Sequence, residues 1–105
     1  MMDDCYWVYI LLCENNTYYT GYTNHLLKRY QSHVDGTSRC KYTRSFKPVE
    51  VSQYWVIHGT KAEAMKVERY IKTLSRAEKE KLIINPTLLN NIQAVMEGES
   101  LQHRD

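Results

Sequence analysis

The chain has 105 residues, of which 43% are hydrophobic and 25% are charged. This length and composition are those of one ordinary globular domain, which buries enough apolar surface to fold without covalent cross-links. The three cysteines, Cys5, Cys13 and Cys40, are odd in number and lack C-x-x-C spacing, which argues against a disulfide framework and against a structural zinc site. They are expected to be free thiols in a reducing compartment.

No segment is predicted to direct the chain to a membrane or across it. The start of the sequence lacks the basic segment and apolar run of a signal peptide. No stretch approaches the roughly 18 apolar residues of a membrane-spanning helix. The sequence therefore predicts a cytoplasmic protein.

Positive charge is concentrated in one segment, although the formal net charge is only +2. Residues 28–47 contain six basic residues and one acidic residue, Asp35, with Tyr42 and Phe46 among them. Such a segment is either a solvated basic loop or a surface that binds nucleic acid. In the second case the binding residues are Lys28, Arg39, Lys41, Tyr42, Arg44 and Lys47.

A β-hairpin is predicted near the start of the chain. Residues 6–12 carry aromatic and branched side chains at odd and even positions alike, which is typical of a strand covered on both faces. Turn-forming residues follow, and residues 18–23 form the second strand. A four-residue turn would place Tyr9 and Tyr19 on opposite faces, whereas an odd turn that pairs Cys13 with Tyr19, or a bulge, would place both on one face. If the two tyrosines share a site, the turn must be odd or bulged.

A helix is predicted directly after the hairpin. Asn24 is a favourable N-cap for this helix, and Gly36 ends it. Arg29 and His33, four residues apart, lie on a stripe beside the buried one and point toward the edge of the core. The buried stripe, at positions i, i+4 and i+8, consists of Leu26, Tyr30 and Val34.

A basic loop, a third strand and a second helix follow. Residues 36–48 carry glycine, serine, arginine and lysine and are predicted to form the loop. Residues 49–58 alternate and then become continuously apolar, as a third strand would. A T-x-x-E capping box at residues 60–63 opens a helix that continues to Leu74.

A shorter helix and a weakly patterned tail complete the chain. An S-x-x-E capping box at residues 75–78 opens the helix, which ends before Asn85 and Pro86. Apolar residues recur weakly after that point and indicate a partly helical tail. We therefore divide the chain into one domain, residues 1–85, and a C-terminal extension, residues 86–105.

Glu68 is the most informative acidic residue of the helix that begins near residue 61. At 100° per residue it lies roughly 90–100° from the centre of the core stripe, on the border of the buried face. It is either paired with Lys72, four residues later, or held as a carboxylate at the rim of a site. The spacing alone favours the ion pair. The core stripe itself consists of Ala64, Val67, Ile71 and Leu74.

Five polar residues on these elements supply the groups that phosphodiester hydrolysis requires. Hydrolysis needs a base that activates water and positive charge on the attacked phosphate, and it benefits from a metal ion at the leaving oxygen. A tyrosine, with a pKa of about 10, is a poor base near pH 7 unless a cation lowers that pKa or a histidine shares the proton. Tyrosines in strands are nevertheless more often plain core residues. The five residues are Tyr9, Tyr19, Arg29, His33 and Glu68.

Five short motifs occur in a characteristic order. They are WVY at residues 7–9, YTG at 19–21, TNHLLKR at 23–29, KYTR at 41–44 with PV at 48–49, and EAMKVERYIKTLSR at 63–76. Together they resemble the GIY-YIG nuclease superfamily, and within it the small single-domain bacterial branch of uncharacterised proteins. Each motif alone is weak, whereas five in order at the family spacing are specific. The resemblance covers residues 6–84.

This resemblance implies a fold and a mechanism. The fold is α/β (α+β), with a three-stranded antiparallel sheet flanked by helices. The activity is cleavage of nucleic acid, with a single Mg²⁺ or Mn²⁺ ion as cofactor. DNA is favoured over RNA as the partner, although the sequence does not decide between them, because phosphate contacts barely distinguish the two. In the family's mechanism Tyr9 acts as the general base on water, assisted by Tyr19 and His33. Arg29 steadies the attacked phosphate, and Glu68 holds the metal ion.

Two positions depart from the family pattern. Tyr22 follows the glycine of the second motif, where many relatives carry lysine. The cation that would lower a tyrosine pKa is then Lys28, Lys41 or the metal. The family's late asparagine has no secure counterpart, since Asn85 is explained better by helix termination before Pro86.

The sequence leaves three functions open. The motifs favour a metal-dependent endonuclease that acts on DNA, in repair or recombination. The second function is a nucleic-acid-binding module that does not cleave, and the third is a protein-interaction domain with an exposed Trp55 or tail helix as its contact surface. The set of five polar residues favours the enzyme. No membrane partner is expected, and a monomer is the default.

Overall fold

Strand β1, Cys5–Cys13, is the central strand of a three-stranded sheet. The computed structural model describes residues 5–89. In it β1 pairs antiparallel with β2, Tyr18–Thr23, on one side and with β3, Pro48–His58, on the other. Residues 8–11 of β1 are each at most 2% exposed, so both faces of the strand are covered, as the sequence predicts.

The turn between β1 and β2 contains three residues. The Cys13 N–H donates to the carbonyl oxygen of Thr17, and the Asn16 N–H donates to the carbonyl oxygen of Cys13, each at 2.8 Å. Asn16 has a φ of 65°, a left-handed conformation that asparagine tolerates well and that three-residue hairpin loops require. The predicted odd turn is confirmed. The predicted pairing of Cys13 with Tyr19 is wrong. Because the loop is three residues long, Tyr19 lies opposite Leu11.

Strand β3 pairs with β1 in an irregular register. The pairing shifts between Ile10 and Leu11 and again between Leu12 and Cys13, as at β-bulges. Trp55 of β3 is 8% exposed. It is therefore not the exposed contact residue that a protein-interaction domain would need.

Helix α1, Leu26–Asp35, begins after a different cap from the one predicted. Its N-cap is His25 and not Asn24, because Nδ1 of His25 accepts a hydrogen bond from the Lys28 N–H at 3.4 Å. Gly36 ends the helix, as predicted, with a φ of 78°. Glycine adopts this left-handed conformation without strain.

The buried side of α1 differs from the predicted stripe. Leu26, Tyr30 and Val34 are only half-buried, whereas His33 is 1% exposed. A buried imidazole requires hydrogen-bond partners, and both ring nitrogens of His33 have one. Tertiary hydrogen bonding therefore places this polar residue deeper than the apolar pattern indicates.

Helix α2, Lys41–Ser45, lies within the segment that was predicted to be a basic loop. The Phe46 N–H donates to the carbonyl oxygen of Tyr42 at 2.9 Å and closes its last turn. Thr43, at the centre of the helix, is fully buried. A helix of five residues is too short to show a hydrophobic period in the sequence.

Helix α3, Lys61–Lys72, begins at the predicted capping box. The Thr60 hydroxyl accepts from the Glu63 N–H at 3.2 Å, and the Glu63 carboxylate accepts from the Thr60 N–H at 2.9 Å. The helix lies against β1 and β2. Its fully buried residues belong to the predicted core stripe: Ala64, Val67 and Ile71.

The chain forms two compact units, residues 1–73 and residues 74–105. The described part of the second unit contains α4, Arg76–Ile84, which begins at the predicted capping box of Ser75 and ends at Asn85. The predicted domain boundary at residue 85 stays a prediction.

The remaining sequence predictions concern the fold class and the tail. A three-stranded antiparallel sheet with accompanying helices confirms the predicted α+β class. Leu88 and Leu89 are helical, and the rest of the predicted tail helix lies outside the described residues. Between residues 5 and 89, no helix has the length and apolarity needed to cross a membrane.

Candidate active site

The odd turn brings Tyr9 and Tyr19 to the same face of the sheet. Tyr9 lies opposite Gly21, and Tyr19 lies opposite Leu11. Since side chains alternate along a strand, all four residues point to one side. The Tyr9 ring lies over Gly21, where an added Cβ would be 2.7 Å from the tyrosine Cζ. Glycine is required at this position for the close approach of the ring.

Tyr9 is the first member of a buried hydrogen-bonded series. Its hydroxyl lies 3.0 Å from Nε2 of His33, and Nδ1 of His33 lies 2.7 Å from Oγ1 of Thr43. All three side chains are at most 2% exposed. Burial, and secondarily the charge of Arg29, lowers the pKa of His33 to about 4. His33 is therefore neutral near pH 7 and holds one proton and one lone pair for its two partners.

Tyr9 itself is not an acidic phenol in this environment. Burial raises the pKa of Tyr9 above its ordinary value, and the positive charge of Arg29 offsets only part of the increase. The phenolate is therefore scarce at neutral pH. A base at this position has to pass its own proton onward, and the acceptor within reach is His33.

Tyr19 lies between aromatic rings and a thiol. Its ring stands edge-on to His33 at 5.4 Å and stacks on Tyr42 at 6.1 Å. Burial and a hydrogen bond to Cys40 raise the pKa of Tyr19. For Cys40, burial raises the pKa, but hydrogen bonds from Tyr19 and Thr43 outweigh burial and lower it overall. Cys40 was predicted only as a free thiol, and it is a neighbour of the predicted site.

A polar cavity of about 380 Å³ opens in front of these tyrosines. Four of the five residues predicted as catalytic or metal-binding line it, each from a different element. They are Tyr9 on β1, Tyr19 on β2, Arg29 on α1 and Glu68 on α3. His33 does not line the cavity; it stands behind Tyr9 and reaches the site through the Tyr9 hydroxyl.

Glu68 is both paired with Lys72 and placed at the wall of the cavity, so the two alternatives given by the sequence hold together. Its side chain is 13% exposed and lines the cavity, and its Oε2 atom forms an ion pair with Nζ of Lys72 at 3.3 Å. Because Lys72 is 49% exposed, the pair is a partly solvated helix contact and contributes little to stability. The carboxylate can therefore exchange this partner for another cation at low cost.

A divalent metal ion would have one protein ligand at this site. Among residues 5–89, no three histidine, cysteine, aspartate or glutamate side chains cluster as a metal-binding group. Mg²⁺ nevertheless binds commonly through one or two carboxylates, with water and substrate phosphate oxygens as the other ligands. The single carboxylate of Glu68, at the wall of a polar cavity, fits an ion held in this way.

The predicted nucleic-acid-binding residues are not all at the cavity. Lys28 lines a second groove of about 270 Å³, which shares Arg29 with the main cavity. Tyr42 is half-buried, since it stacks on Tyr19 and hydrogen-bonds to Asn15 and Thr17. Four residues are exposed and line neither space: Arg39, Lys41, Arg44 and Lys47.

Lys61 is a cation of the cavity wall that the sequence reasoning missed. It lies seven residues before Glu68, and two full helical turns place the two side chains on one face. The same helical spacing that assigned Glu68 could have found it. Tyr22 also lines the cavity. Arg29 and Lys61 are the basic residues that line the cavity, whereas Lys28 and Lys41, two of the three cations expected beside the tyrosines, do not line it.

These observations define a small α+β domain with a tyrosine-lined cavity that carries two cations and one carboxylate. Residues 5–82 match the GIY-YIG catalytic domain. The chain therefore belongs to the GIY-YIG family of nucleases, as the sequence motifs predict.

Bacterial relatives of similar size accompany this match. The chain is 49% identical over 82 residues to a UPF0213 protein of Oceanobacillus iheyensis, which covers 78% of this chain and 93% of that one. It is 42% identical over 83 residues to a UPF0213 protein of Bacillus licheniformis, with 79% and 84% covered. It also resembles the solution NMR structure of a UPF0213 protein from Bacillus halodurans, at 39% identity, 75% and 82% coverage and a TM-score of 0.47.

Proposed function

We propose that this protein is a metal-dependent endonuclease that hydrolyses phosphodiester bonds in DNA. The observation that carries the proposal is the convergence of Tyr9, Tyr19, Arg29 and Glu68, from four elements, on one polar cavity. A module that only binds DNA has no need of a carboxylate among the groups that would face a phosphate. Cationic side chains alone would serve it better.

Arg29 is the proposed phosphate ligand. Its guanidinium lines the cavity, and among the described residues no carboxylate lies within ion-pair distance of it. A guanidinium forms two parallel hydrogen bonds to phosphate oxygens and stays charged at every working pH. It can therefore hold the scissile phosphate before the reaction and stabilise its added charge during it.

Tyr9 and His33 are the proposed base. A water molecule that attacks phosphorus gives a proton to the Tyr9 oxygen while the Tyr9 hydroxyl proton passes to Nε2 of His33, 3.0 Å away. No free phenolate is needed, which agrees with the raised pKa of Tyr9. Tyr19, beside the same imidazole, orients the water or a phosphate oxygen.

Glu68 is the proposed metal ligand, and the bound Mg²⁺ or Mn²⁺ would neutralise charge on the leaving oxygen. Lys72 holds the carboxylate in the metal-free protein. The substrates we consider first are repair or recombination intermediates, with the exposed basic residues Arg39, Lys41, Arg44 and Lys47 as contacts to phosphates further along the DNA. A monomer in the cytoplasm is the setting we propose for this activity.

The test is a cleavage assay on branched, flapped and linear duplexes with Mn²⁺ or with EDTA. It compares the wild type with Glu68→Gln and with the control Glu50→Gln, which removes an exposed carboxylate on β3. We expect wild type and Glu50→Gln to cleave with Mn²⁺ alone, and Glu68→Gln to lose cleavage while keeping its fold. Equal cleavage by Glu68→Gln and wild type would contradict the proposal.

One observation favours a second function, a nucleic-acid-binding module that does not cleave. The exposed basic residues near α2 lie beside Phe46, which is 39% exposed and can stack on a base. For such a module, Lys41→Ala and Arg44→Ala weaken binding and Glu68→Gln does not. Absence of cleavage by wild type, with binding that weakens as salt rises, would favour this module.

A further inference from the structure

The hydroxyl of Thr43 contacts one ring nitrogen of His33, Nδ1, and the hydroxyl of Tyr9 contacts the other, Nε2. We propose that Thr43 is a positioning residue that holds His33 in the tautomer with its proton on Nδ1, so that Nε2 is a bare acceptor for the Tyr9 hydroxyl. The proposal deepens the proposed nuclease function and rests on it for its catalytic consequence. It rests on geometry alone for the tautomer.

At the far end of the hydrogen-bonded series, Thr43 contacts a group that can only accept a hydrogen bond. Thr43 Oγ1 donates to the backbone carbonyl oxygen of Cys40 at 3.4 Å, the i to i−3 bond that threonine commonly makes in a helix. A carbonyl oxygen can only accept, so this contact requires the single hydroxyl proton of Thr43 to point toward Cys40.

The next bond follows from the first. With its proton directed to Cys40, Thr43 Oγ1 can only accept from Nδ1 of His33, 2.7 Å away. Nδ1 therefore carries the ring proton of the neutral imidazole. Thr43 is 0% exposed, so water does not compete for either bond. This is how a hydrogen bond at one ring nitrogen sets the state of the other.

The last bond places the lone pair where the chemistry needs it. Nε2 of His33, without a proton, accepts from the Tyr9 hydroxyl at 3.0 Å. The oxygen lone pairs of Tyr9 then remain available to a water molecule in the cavity that Tyr9 lines. In the opposite tautomer an Nε2–H would point at the Tyr9 oxygen, and the proton of Tyr9 would have no acceptor on His33.

Two substitutions of Thr43 distinguish a positioning role from a packing role. Thr43→Val keeps the branched shape and removes the hydroxyl, whereas Thr43→Ser keeps the hydroxyl and removes a methyl group. A packing role makes the serine variant at least as defective as the valine variant. A positioning role makes serine resemble wild type and makes valine defective.

The first experiment is NMR of the protein with ¹⁵N-labelled histidine rings, at neutral pH and without DNA or metal. Correlation of ring nitrogens with ring carbon-bound protons distinguishes the two neutral tautomers, and the spectrum of His33→Asn assigns the His33 signals. We expect the Nδ1–H tautomer in wild type and in Thr43→Ser, and the Nε2–H tautomer or a mixture in Thr43→Val. An Nε2–H tautomer in wild type, or an unchanged tautomer in Thr43→Val, would overturn the proposal.

The second experiment measures DNA cleavage by the same proteins. We expect Thr43→Val to lower kcat by roughly 10²-fold, the low end of what a general base contributes, with little change in KM. Thr43→Ser should restore most of kcat. If wild type shows the expected tautomer but cleaves no DNA, the nuclease function fails and the positioning of His33 by Thr43 stands. Should Thr43→Val fail to fold, the wild-type spectrum still decides.

Discussion

The ring of Tyr9 lies so close to Gly21 that a Cβ atom at position 21 would be 2.5 Å from the tyrosine oxygen. The ring cannot move away freely, because it is buried and its hydroxyl is hydrogen-bonded to His33. We expect Gly21→Ala to lower the free energy of unfolding by about 1–3 kcal/mol, as overpacking does. We also expect it to abolish cleavage, since Tyr9 must leave its position. Chemical denaturation and the cleavage assay measure the two effects.

Gly36→Ala is the matched control for that variant. A Cβ at position 36 meets open space, but the φ of 78° strains any residue with a side chain. The expected loss of stability is about 1 kcal/mol, with cleavage by the folded protein retained. If both alanine variants cleaved equally well, the close contact of Tyr9 with Gly21 would not matter to the site.

The pKa of His33 makes stability depend on pH in a defined window. Burial lowers this pKa to about 4 in the folded chain, while an unfolded histidine titrates near 6.5. Between these two values the unfolded chain binds more protons, so stability decreases as pH falls from about 6.5 to about 4. At 1.36 kcal/mol per pKa unit the total loss is about 3 kcal/mol.

Urea denaturation at pH values between 7.5 and 4.5 measures this dependence. We expect the loss between pH 6.5 and 4.5 to be smaller in His33→Asn than in wild type, although the variant is less stable at pH 7.5. His58→Asn, which changes an exposed histidine on β3, should show the wild-type slope. Identical slopes for all three proteins would mean that His33 titrates normally.

The features that the sequence predicts well are local ones. Capping boxes are read within four residues, and those at Thr60 and Ser75 start helices as expected. The parity of the hairpin turn was decided by requiring Tyr9 and Tyr19 to share a site, which the three-residue turn satisfies. The residue pattern does not give the exact loop length, because that length depends on the left-handed conformation of Asn16.

The features that the sequence predicts poorly depend on contacts between elements. The depth of His33 is set by Tyr9, on another element, and by Thr43, on a helix too short to show a period. An apolar pattern cannot report hydrogen bonds of this kind. Lys61 is a different case, because it lies seven residues before Glu68 and helical spacing alone places it on the same face of the helix.

The thiol of Cys40 reports on its hydrogen bond with Tyr19. The hydrogen bonds that Cys40 receives lower its pKa, whereas burial raises the pKa of Cys13. Since the thiolate is the nucleophile, we expect Cys40 to be alkylated by iodoacetamide at pH 7.5 faster than the buried Cys13. Mass spectrometry of the modified peptides at successive times measures both rates.

Tyr19→Phe tests the donor of that hydrogen bond. It removes the hydroxyl and should slow alkylation of Cys40 by roughly tenfold or more, since a hydrogen bond to a charged group contributes about 1.5–3 kcal/mol. Tyr6→Phe, at another tyrosine of the cavity wall, should leave the rate unchanged. Faster alkylation in Tyr19→Phe would instead mean that Tyr19 shields the thiol and does not stabilise the thiolate.

Lys61 should contribute to DNA binding through charge. It is exposed, lines the cavity with Arg29, and has no carboxylate within ion-pair distance among residues 5–89. A lysine that contacts one phosphate releases about one counterion, so Lys61→Ala should weaken binding equally for different sequences and reduce the slope of log K against log salt by about 1.

Lys66→Ala is the control for general charge, since it removes an exposed lysine of the same helix that does not line the cavity. Fluorescence anisotropy at several salt concentrations gives both slopes, with Mn²⁺ omitted so that no DNA is cleaved. A smaller slope for Lys61→Ala alone would place a phosphate at the cavity wall beside Glu68. Equal slopes for both variants would mean that DNA binding depends only on the overall charge of α3.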